Sequence, residues 1–171
     1  MKIGTRSLLF GVHQIFWHPL TVLLAWIKLY KAFPNWKELV CIFIHDWGYW
    51  GCSDMDGSDG NNHPEYAANL AKKWFGEKYY ELCLYHSRHY SREHDAIPSR
   101  LCWADKLSIQ FEPYILYVPR AILSGEIYEY RKMSAKAGYI SLIESHRTWF
   151  NWVKPWLIKQ GNKQISAKKL C

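Results

Sequence analysis

The residues best suited to chemistry in this chain are histidines and aspartates on helical segments. The adjacent pair His45-Asp46 ends the apolar segment 40–44, whose spacing predicts a helix. Four more such residues share a helical face with apolar neighbours: His18, His63, His86 and Asp105. Because the apolar face of a helix packs inward, all six side chains are expected to be buried.

Metal binding is the chemistry that this set of side chains predicts. Imidazole and carboxylate groups bind divalent transition metals such as Fe, Mn and Co. An isolated buried aspartate is expensive in free energy, and bound cations would compensate for two aspartates among four histidines. Asp46 can also bridge two cations, because a carboxylate has two oxygens. A single histidine of this kind is more often a hydrogen-bonded core residue, so the prediction rests on the whole set.

Helical patterns separated by short breaks must position these side chains. The apolar spacing predicts helices over residues 18–30, 36–47, 63–76, 77–90, 98–111, 125–133 and 137–159. The last of these helices is expected to break near Pro155, and residues 48–62 are expected to form a loop. No useful strand alternation is present, so we expect an all-α, single-domain helical bundle over residues 1–160 and a polar C-terminal tail over 161–171.

Composition restricts the partners and the setting of the protein. The chain carries 22 Lys and Arg against 15 Asp and Glu, a net charge of +7 that favours anionic partners. Its five cysteines include no CxxC pair, which predicts a reducing, cytoplasmic setting. Residues 8–30 are long enough to span a bilayer, but His13, His18 and Lys28 lie among them, so a buried helix is favoured over a membrane anchor.

The order His18, His45-Asp46, His63, His86, Asp105 resembles the binuclear branch of the HD-domain metal-dependent phosphohydrolase superfamily. The stretches HPEYAANLA (63–71), YHSRHYS (85–91) and LCWADKLS (101–108) carry the resemblance, which covers residues 18–108. The stretch HDWGYWG (45–51) resembles short, uncharacterised bacterial and phage HD proteins. The resemblance implies an HD-type helical bundle with two divalent metal ions.

Residue by residue, the resemblance implies two metal sites that share one carboxylate. One ion would be held by His18, His45, Asp46 and Asp105, and the second by Asp46, His63 and His86. A hydroxide between the ions would attack phosphorus. The first ligand stays open between His13 and His18, with His18 favoured because Val22 and Ala25 follow it, as in the superfamily's helix.

Residues next to the ligands are candidates to bind substrate. Arg88 and His89 follow His86, and Lys106 follows Asp105, so these three could hold a phosphate or could be solvated surface charges. Trp47 and Trp50 follow the HD pair and could either stack on a nucleobase or pack in the core. With Asp46, we expect Arg88 and Lys106 to take part in catalysis.

The resemblance favours a metal-dependent phosphohydrolase that cleaves a nucleotide or another small phosphate ester. Two alternatives remain: an HD-type di-iron oxygenase, which uses the same six ligands, and a nucleotide-sensing HD module without activity. The sequence carries no strong signal for nucleic-acid binding. It leaves the substrate, the native metal and the oligomeric state open.

Overall fold

The computed structural model describes residues 1–168, which form ten α-helices and no strand. The helices are α1 (Ile3–Phe10), α2 (Trp17–Tyr30), α3 (Trp36–Ile44), α4 (His63–Phe75), α5 (Glu77–Leu84), α6 (Arg88–Glu93), α7 (Arg100–Ser108), α8 (Tyr114–Ser124), α9 (Glu126–Lys136) and α10 (His146–Lys168). Short 3₁₀ turns lie at Trp47–Tyr49, Gly60–Asn62 and Ile109–Phe111. The predicted all-α class is confirmed. Across these described residues, no helix has both the length and the apolar composition needed to cross a membrane.

Small residues let the helices that carry the histidines pack closely. Ala25 of α2 and Ala104 of α7 are fully buried where these two helices pack together. Ala67 and Ala71 line the buried face of α4, which packs on α5. Trp26 fills the space between these helices and is fully buried. Close packing of this kind holds the backbone rigidly, which a site built from several helices requires.

A second core lies in the last third of the described chain. It joins α8, α9 and α10 through buried side chains that include Val118, Ile127, Trp149 and Phe150. Helix α10 also packs against α7, which carries Asp105. The second core therefore lies next to α7, one of the helices that carry the predicted metal ligands.

Two helices form where the apolar pattern predicts a single helix over 77–90. Helix α5 ends at Leu84 and α6 begins at Arg88, because the Ser87 hydroxyl accepts a hydrogen bond from the His89 N–H and caps the new helix. The turn between the two helices contains His86. Because of this break, His86 does not follow the helical spacing of α5, and its side chain is buried in the bundle.

The C-terminal helix is longer and more regular than its sequence predicts. Helix α10 runs through Pro155 without a break and continues past residue 160, where the polar tail was expected to begin. Pro155 is exposed, and a carbonyl left without its N–H partner there can bind water. Residues 137–145, predicted to be helical, form turns instead. Residues 169–171 of the predicted tail lie outside the described residues.

Helices α1 and α8 were not expected from the sequence pattern. Pro119 lies inside α8, and no helix was predicted between residues 111 and 125. Pro119 is exposed on the helix, as Pro155 is on α10. Both prolines therefore lie inside a helix, on the side that faces water.

Gly48 permits a close approach between the turn after Asp46 and the start of α4. A β-carbon at Gly48 would lie 1.8 Å from the carbonyl oxygen of His63, closer than any real contact. The next side chain, Tyr49, stacks on the His63 ring at 3.9 Å between ring centroids. The absence of a side chain at position 48 is therefore what lets His63 approach the HD pair.

We expect Gly48→Ala to lower the free energy of unfolding by about 3 kcal/mol, because a clash with backbone cannot be relieved by a side-chain rotation. Urea unfolding followed by circular dichroism measures the change. Gly51→Ala is the matched control, since no atom lies within 4 Å of its β-carbon and only its φ of 84° is unfavourable, which costs about 1–2 kcal/mol. Equal losses in the two variants would contradict the close approach.

Candidate metal centre

The fold brings all six predicted ligands together at one place in the bundle. His18 lies in the first turn of α2, His45 and Asp46 follow α3, and His63 begins α4. His86 lies between α5 and α6, and Asp105 lies in α7. Each side chain is at most 10% exposed. Six residues spread over 88 positions of the chain, from 18 to 105, thus meet in a region that excludes most water.

One oxygen of Asp46 faces two imidazoles. Its Oδ2 lies 3.2 Å from Nε2 of His18 and 3.1 Å from Nε2 of His45. Asp105 approaches from the other side, with Oδ1 3.2 Å from Nε2 of His18 and 3.9 Å from Nε2 of His45. Two ligands bound at right angles to one ion lie about 3 Å apart, since metal–nitrogen bonds are about 2.1 Å long. The spacings among His18, His45 and Asp46 fit a common ion, and Asp105 adjoins this group at His18.

The other oxygen of Asp46 faces a second pair of imidazoles. Its Oδ1 lies 3.7 Å from Nε2 of His63 and 3.6 Å from Nε2 of His86. The two Nε2 atoms lie 3.1 Å from each other. Two groups of side chains, each with its ligand atoms close enough for one ion, therefore share a single carboxylate: His18, His45 and Asp46 in one, and Asp46, His63 and His86 in the other.

Backbone carbonyls determine which ring nitrogen can bind a metal. Nδ1 of His45 lies 2.8 Å from the Ile42 carbonyl, and Nδ1 of His63 lies 2.7 Å from the Gly60 carbonyl. Nδ1 of His86 is bonded in the same way to the carbonyl of Cys83. Because a carbonyl can only accept, each Nδ1 carries the hydrogen, and each neutral ring presents its Nε2 lone pair to the cluster.

The facing lone pairs fit a positive charge at the centre of the site. Nε2 of His63 and Nε2 of His86 are both acceptors when the rings are neutral, and they repel each other at 3.1 Å unless a cation lies between them. Three further buried atoms make no hydrogen bond with suitable geometry to any residue in the range 1–168. They are Nε2 of His18, Nε2 of His45 and Oδ2 of Asp46. Buried groups without partners are costly. The donor set therefore fits divalent cations.

The pKa values follow from the same arrangement. Burial favours a raised pKa for Asp46, but the neighbouring His45 and hydrogen bonds from the close imidazoles hold the pKa well below its usual range. Burial and the neighbouring His86 lower the pKa of His63 well below 6.5, so its ring is neutral and able to bind metal. Burial also lowers the pKa of His18, but Asp105 and Asp46 outweigh it and raise the pKa to about 10.

His13 lies beside the cluster and outside it. Its Nδ1 is 3.1 Å from Oε2 of Glu126, and its ring packs edge-on against His18 at 5.3 Å. Glu126 is fully buried and accepts hydrogen bonds at 2.7–3.0 Å from four further donors: the Ser7 hydroxyl, the Val12 N–H, the Ser124 hydroxyl and the Tyr130 hydroxyl. The structure thus brings His18, and not His13, among the ligands. Nothing in the sequence pattern singled out Glu126.

A cavity of about 340 Å³ opens beside His18 and Asp105. Arg88 and Lys106 line it, and Nζ of Lys106 lies 2.8 Å from Oδ2 of Asp105. Burial lowers the pKa of Lys106, but the charge of Asp105 outweighs it and raises the pKa above its usual value. Arg88 and Lys106 also line a second cavity of about 310 Å³. An anion that enters the first cavity therefore meets two cationic side chains next to the ligand cluster.

Three of the predicted substrate-binding residues do not line this cavity. Trp47 and Trp50 are 40% and 64% exposed and lie elsewhere on the surface. His89 is directed away, with Nε2 3.1 Å from Oε2 of Glu93. Three tryptophans of α10 do line the cavity: Trp149, Trp152 and Trp156. They were not predicted, because their spacing identifies a helix face without showing what that face borders.

We expect the protein to bind up to two divalent transition-metal ions per chain, one for each group of ligands. Asp46→Asn should reduce the content below one ion, because it weakens both groups, whereas His86→Gln should remove about one ion. Inductively coupled plasma mass spectrometry of protein loaded with excess Mn²⁺ measures both. His94→Gln is the control, since His94 lies on α6's exposed end, bonded to the Tyr90 carbonyl. Full metal content in Asp46→Asn would contradict the shared carboxylate.

A second expectation concerns the buried carboxylate of Glu126. Burial raises its pKa, but His13 and the hydroxyl and amide donors outweigh this and hold the pKa below 4.5. Its charge therefore stabilises the fold above pH about 4.5 and loses that effect as the pH falls through the lower folded-state pKa. Glu126→Gln should lower the free energy of unfolding by about 2–3 kcal/mol at neutral pH.

The pH dependence distinguishes this charge from simple packing. The difference between wild type and Glu126→Gln at neutral pH should shrink at acid pH, below the lowered folded-state pKa of Glu126, where both side chains are neutral. Urea unfolding at the two pH values gives the comparison, and Glu81→Gln on the exposed side of α5 is the control. A difference that stays constant with pH would show that the carboxylate charge is not what stabilises the network.

The geometry of the chain itself carries the case for a metal centre. Comparison with protein-family models, with curated proteins and with solved structures gives no match to this chain. The six buried ligands and the adjoining cavity are therefore the basis on which the function has to be inferred.

Proposed function

We propose that the protein is a metal-dependent phosphohydrolase that acts on a nucleotide or another small phosphate ester. The observation that carries this proposal is the carboxylate of Asp46, whose two oxygens each face a separate pair of histidines. A carboxylate shared in this way, beside a cavity with two cationic side chains, is suited to a pair of metal ions that act on one phosphate.

The ligand groups assign the residues that would hold the two metals. His18, His45, Asp46 and Asp105 would hold one, and Asp46, His63 and His86 the other. Bound there, two divalent cations would supply Lewis acidity and lower the pKa of a bound water, so that hydrolysis needs no nucleophilic side chain. Fe, Mn and Co all suit a mixed imidazole and carboxylate donor set.

Arg88 and Lys106 are placed to bind the phosphate group. Both line the cavity next to the ligands, and Lys106 is oriented by its ion pair with Asp105. A guanidinium can hold two phosphate oxygens at once, and an ammonium adds a compact charge. Together they would position the phosphorus and stabilise the negative charge that grows on its oxygens during attack.

His13 is placed to give a proton to the departing oxygen of the substrate. It lines the cavity, and its Nδ1 is held by Glu126, so Nε2 is the atom left for the substrate. Burial lowers the pKa of His13, but the hydrogen bond to Glu126 and the charge of Asp46 outweigh it and raise the pKa above 6.5. A protonated imidazole at the cavity wall can serve as a general acid.

We expect protein loaded with Fe, Mn or Co to release inorganic phosphate from members of a panel of nucleoside monophosphates and simple phosphate esters. Lys106→Met and Arg88→Met should each lower kcat/KM by roughly 10–100-fold, the effect of losing a hydrogen bond between charged groups. Lys72→Met is the control, because Lys72 is exposed on α4 and paired with Glu77. Malachite green detection of released phosphate measures the rates.

The alternatives give different results in the same samples. Oxygen uptake by the iron-loaded protein without phosphate release would indicate the di-iron oxygenase instead. Tight nucleotide binding with neither reaction would indicate a sensing module. Both results would contradict hydrolysis.

A further inference from the structure

One wall of the cavity beside the metal ligands is built from aromatic rings of α10. Trp149, Trp152, Val153, Trp156 and Leu157 follow one another at intervals that place them on a single helix face, and all five line the cavity. Large apolar side chains at such intervals usually pack into a core. Here Trp152 and Trp156 remain only partly buried, so their rings are open to the space in front of the metal ligands.

Three of the rings that line the cavity contact one another. The Tyr139 and Trp152 rings lie 5.5 Å apart with 29° between their planes, and the Trp152 and Trp156 rings lie 5.6 Å apart with 26°. The Tyr139 and Trp156 rings are 5.2 Å apart and tilted by 46°. We call Tyr139, Trp152 and Trp156 the aromatic platform. Rings held in place by their neighbours can accept another ring with little loss of entropy.

The aromatic platform lies near the cationic end of the cavity. Leu157, which follows Trp156, lines both this cavity and the second cavity, as Arg88 and Lys106 also do. The helix turn that carries Trp156 therefore borders the space in which these two cations lie. A molecule with an anionic group at Arg88 and Lys106 can place its other end over the aromatic platform.

We propose that the aromatic platform is a binding subsite for a planar aromatic ring that carries the phosphate group. The inference rests on the proposed function, because it assigns the part of the substrate that is not cleaved. The platform recognises the ring by its face. The nearby Ser134 hydroxyl is already used, since it accepts from Nε1 of Trp149 and donates to the Tyr130 carbonyl, so it is not free to read the edge of a base.

Binding of phosphonates tests the subsite without turnover. Phenylphosphonate and methylphosphonate carry the same anionic group and differ in the ring, and neither is hydrolysed at phosphorus. We expect isothermal titration calorimetry on the Mn²⁺-loaded protein to show roughly tenfold tighter binding of phenylphosphonate, the effect of one good stacking contact. Trp156→Leu and Trp152→Leu should each remove most of that preference and leave methylphosphonate binding unchanged.

Trp36→Leu is the matched control, because Trp36 is exposed on α3, packs against Phe75 and lies outside the cavity. It should keep the full preference for phenylphosphonate. The non-hydrolysable 5′-phosphonate analogues of adenosine and cytidine monophosphate distinguish a nucleobase from a simple aryl group. Affinities for both within a few-fold of that for phenylphosphonate support recognition by stacking, and a large preference for one base overturns it.

Two results would overturn the proposed subsite. The hydrolase proposal is tested separately, by phosphate release. One is equal affinity for the two phosphonates. The other is a preference for phenylphosphonate that survives both Trp156→Leu and Trp152→Leu. If the preference is present and depends on these tryptophans but no phosphate ester is hydrolysed, the subsite stands and the proposed reaction fails.

Discussion

The buried carboxylate of Asp46 is the group on which the rest of this structure depends. Its side chain is only 9% exposed, and its two oxygens face four imidazole nitrogens, which belong to His18, His45, His63 and His86. Removing a carboxylate and four imidazoles from water is costly unless positive charge compensates for it. Metal ions would supply that charge, and the helices must hold the ligands close enough to share them.

Carbonyls at the ends of helical segments explain how the rings are oriented. The carbonyls of Ile42 and Cys83 lie in the last turns of α3 and α5, where the regular i+4 hydrogen bonds of the helix end. A histidine three residues later donates its Nδ1 hydrogen to each of them, and His63 does the same to the Gly60 carbonyl. The backbone of each segment therefore sets the tautomer and direction of its own ligand, and the fold has only to bring the segments together.

The two halves of the chain contribute different parts of the site. The candidate ligands come from α2 to α7, whereas α9 supplies Glu126 behind His13. Helix α10 supplies Trp152 and Trp156 of the aromatic platform, and the turn before it supplies Tyr139. Packing of α10 on α7 brings the two contributions to one cavity. The residues that would hold metal are therefore separate from those that would select a substrate. Substitutions among the substrate-selecting residues can leave the metal ligands undisturbed.

The sequence by itself determined the local features: the helix of α2, the start of α3 at Trp36, and the inward direction of the six polar side chains. Helical spacing and capping are local, so these could be predicted. Only the tertiary structure decided that Trp47 and Trp50 are exposed and that α10 faces the candidate ligands. Those outcomes depend on which helix packs against which, and no spacing within one segment contains that information.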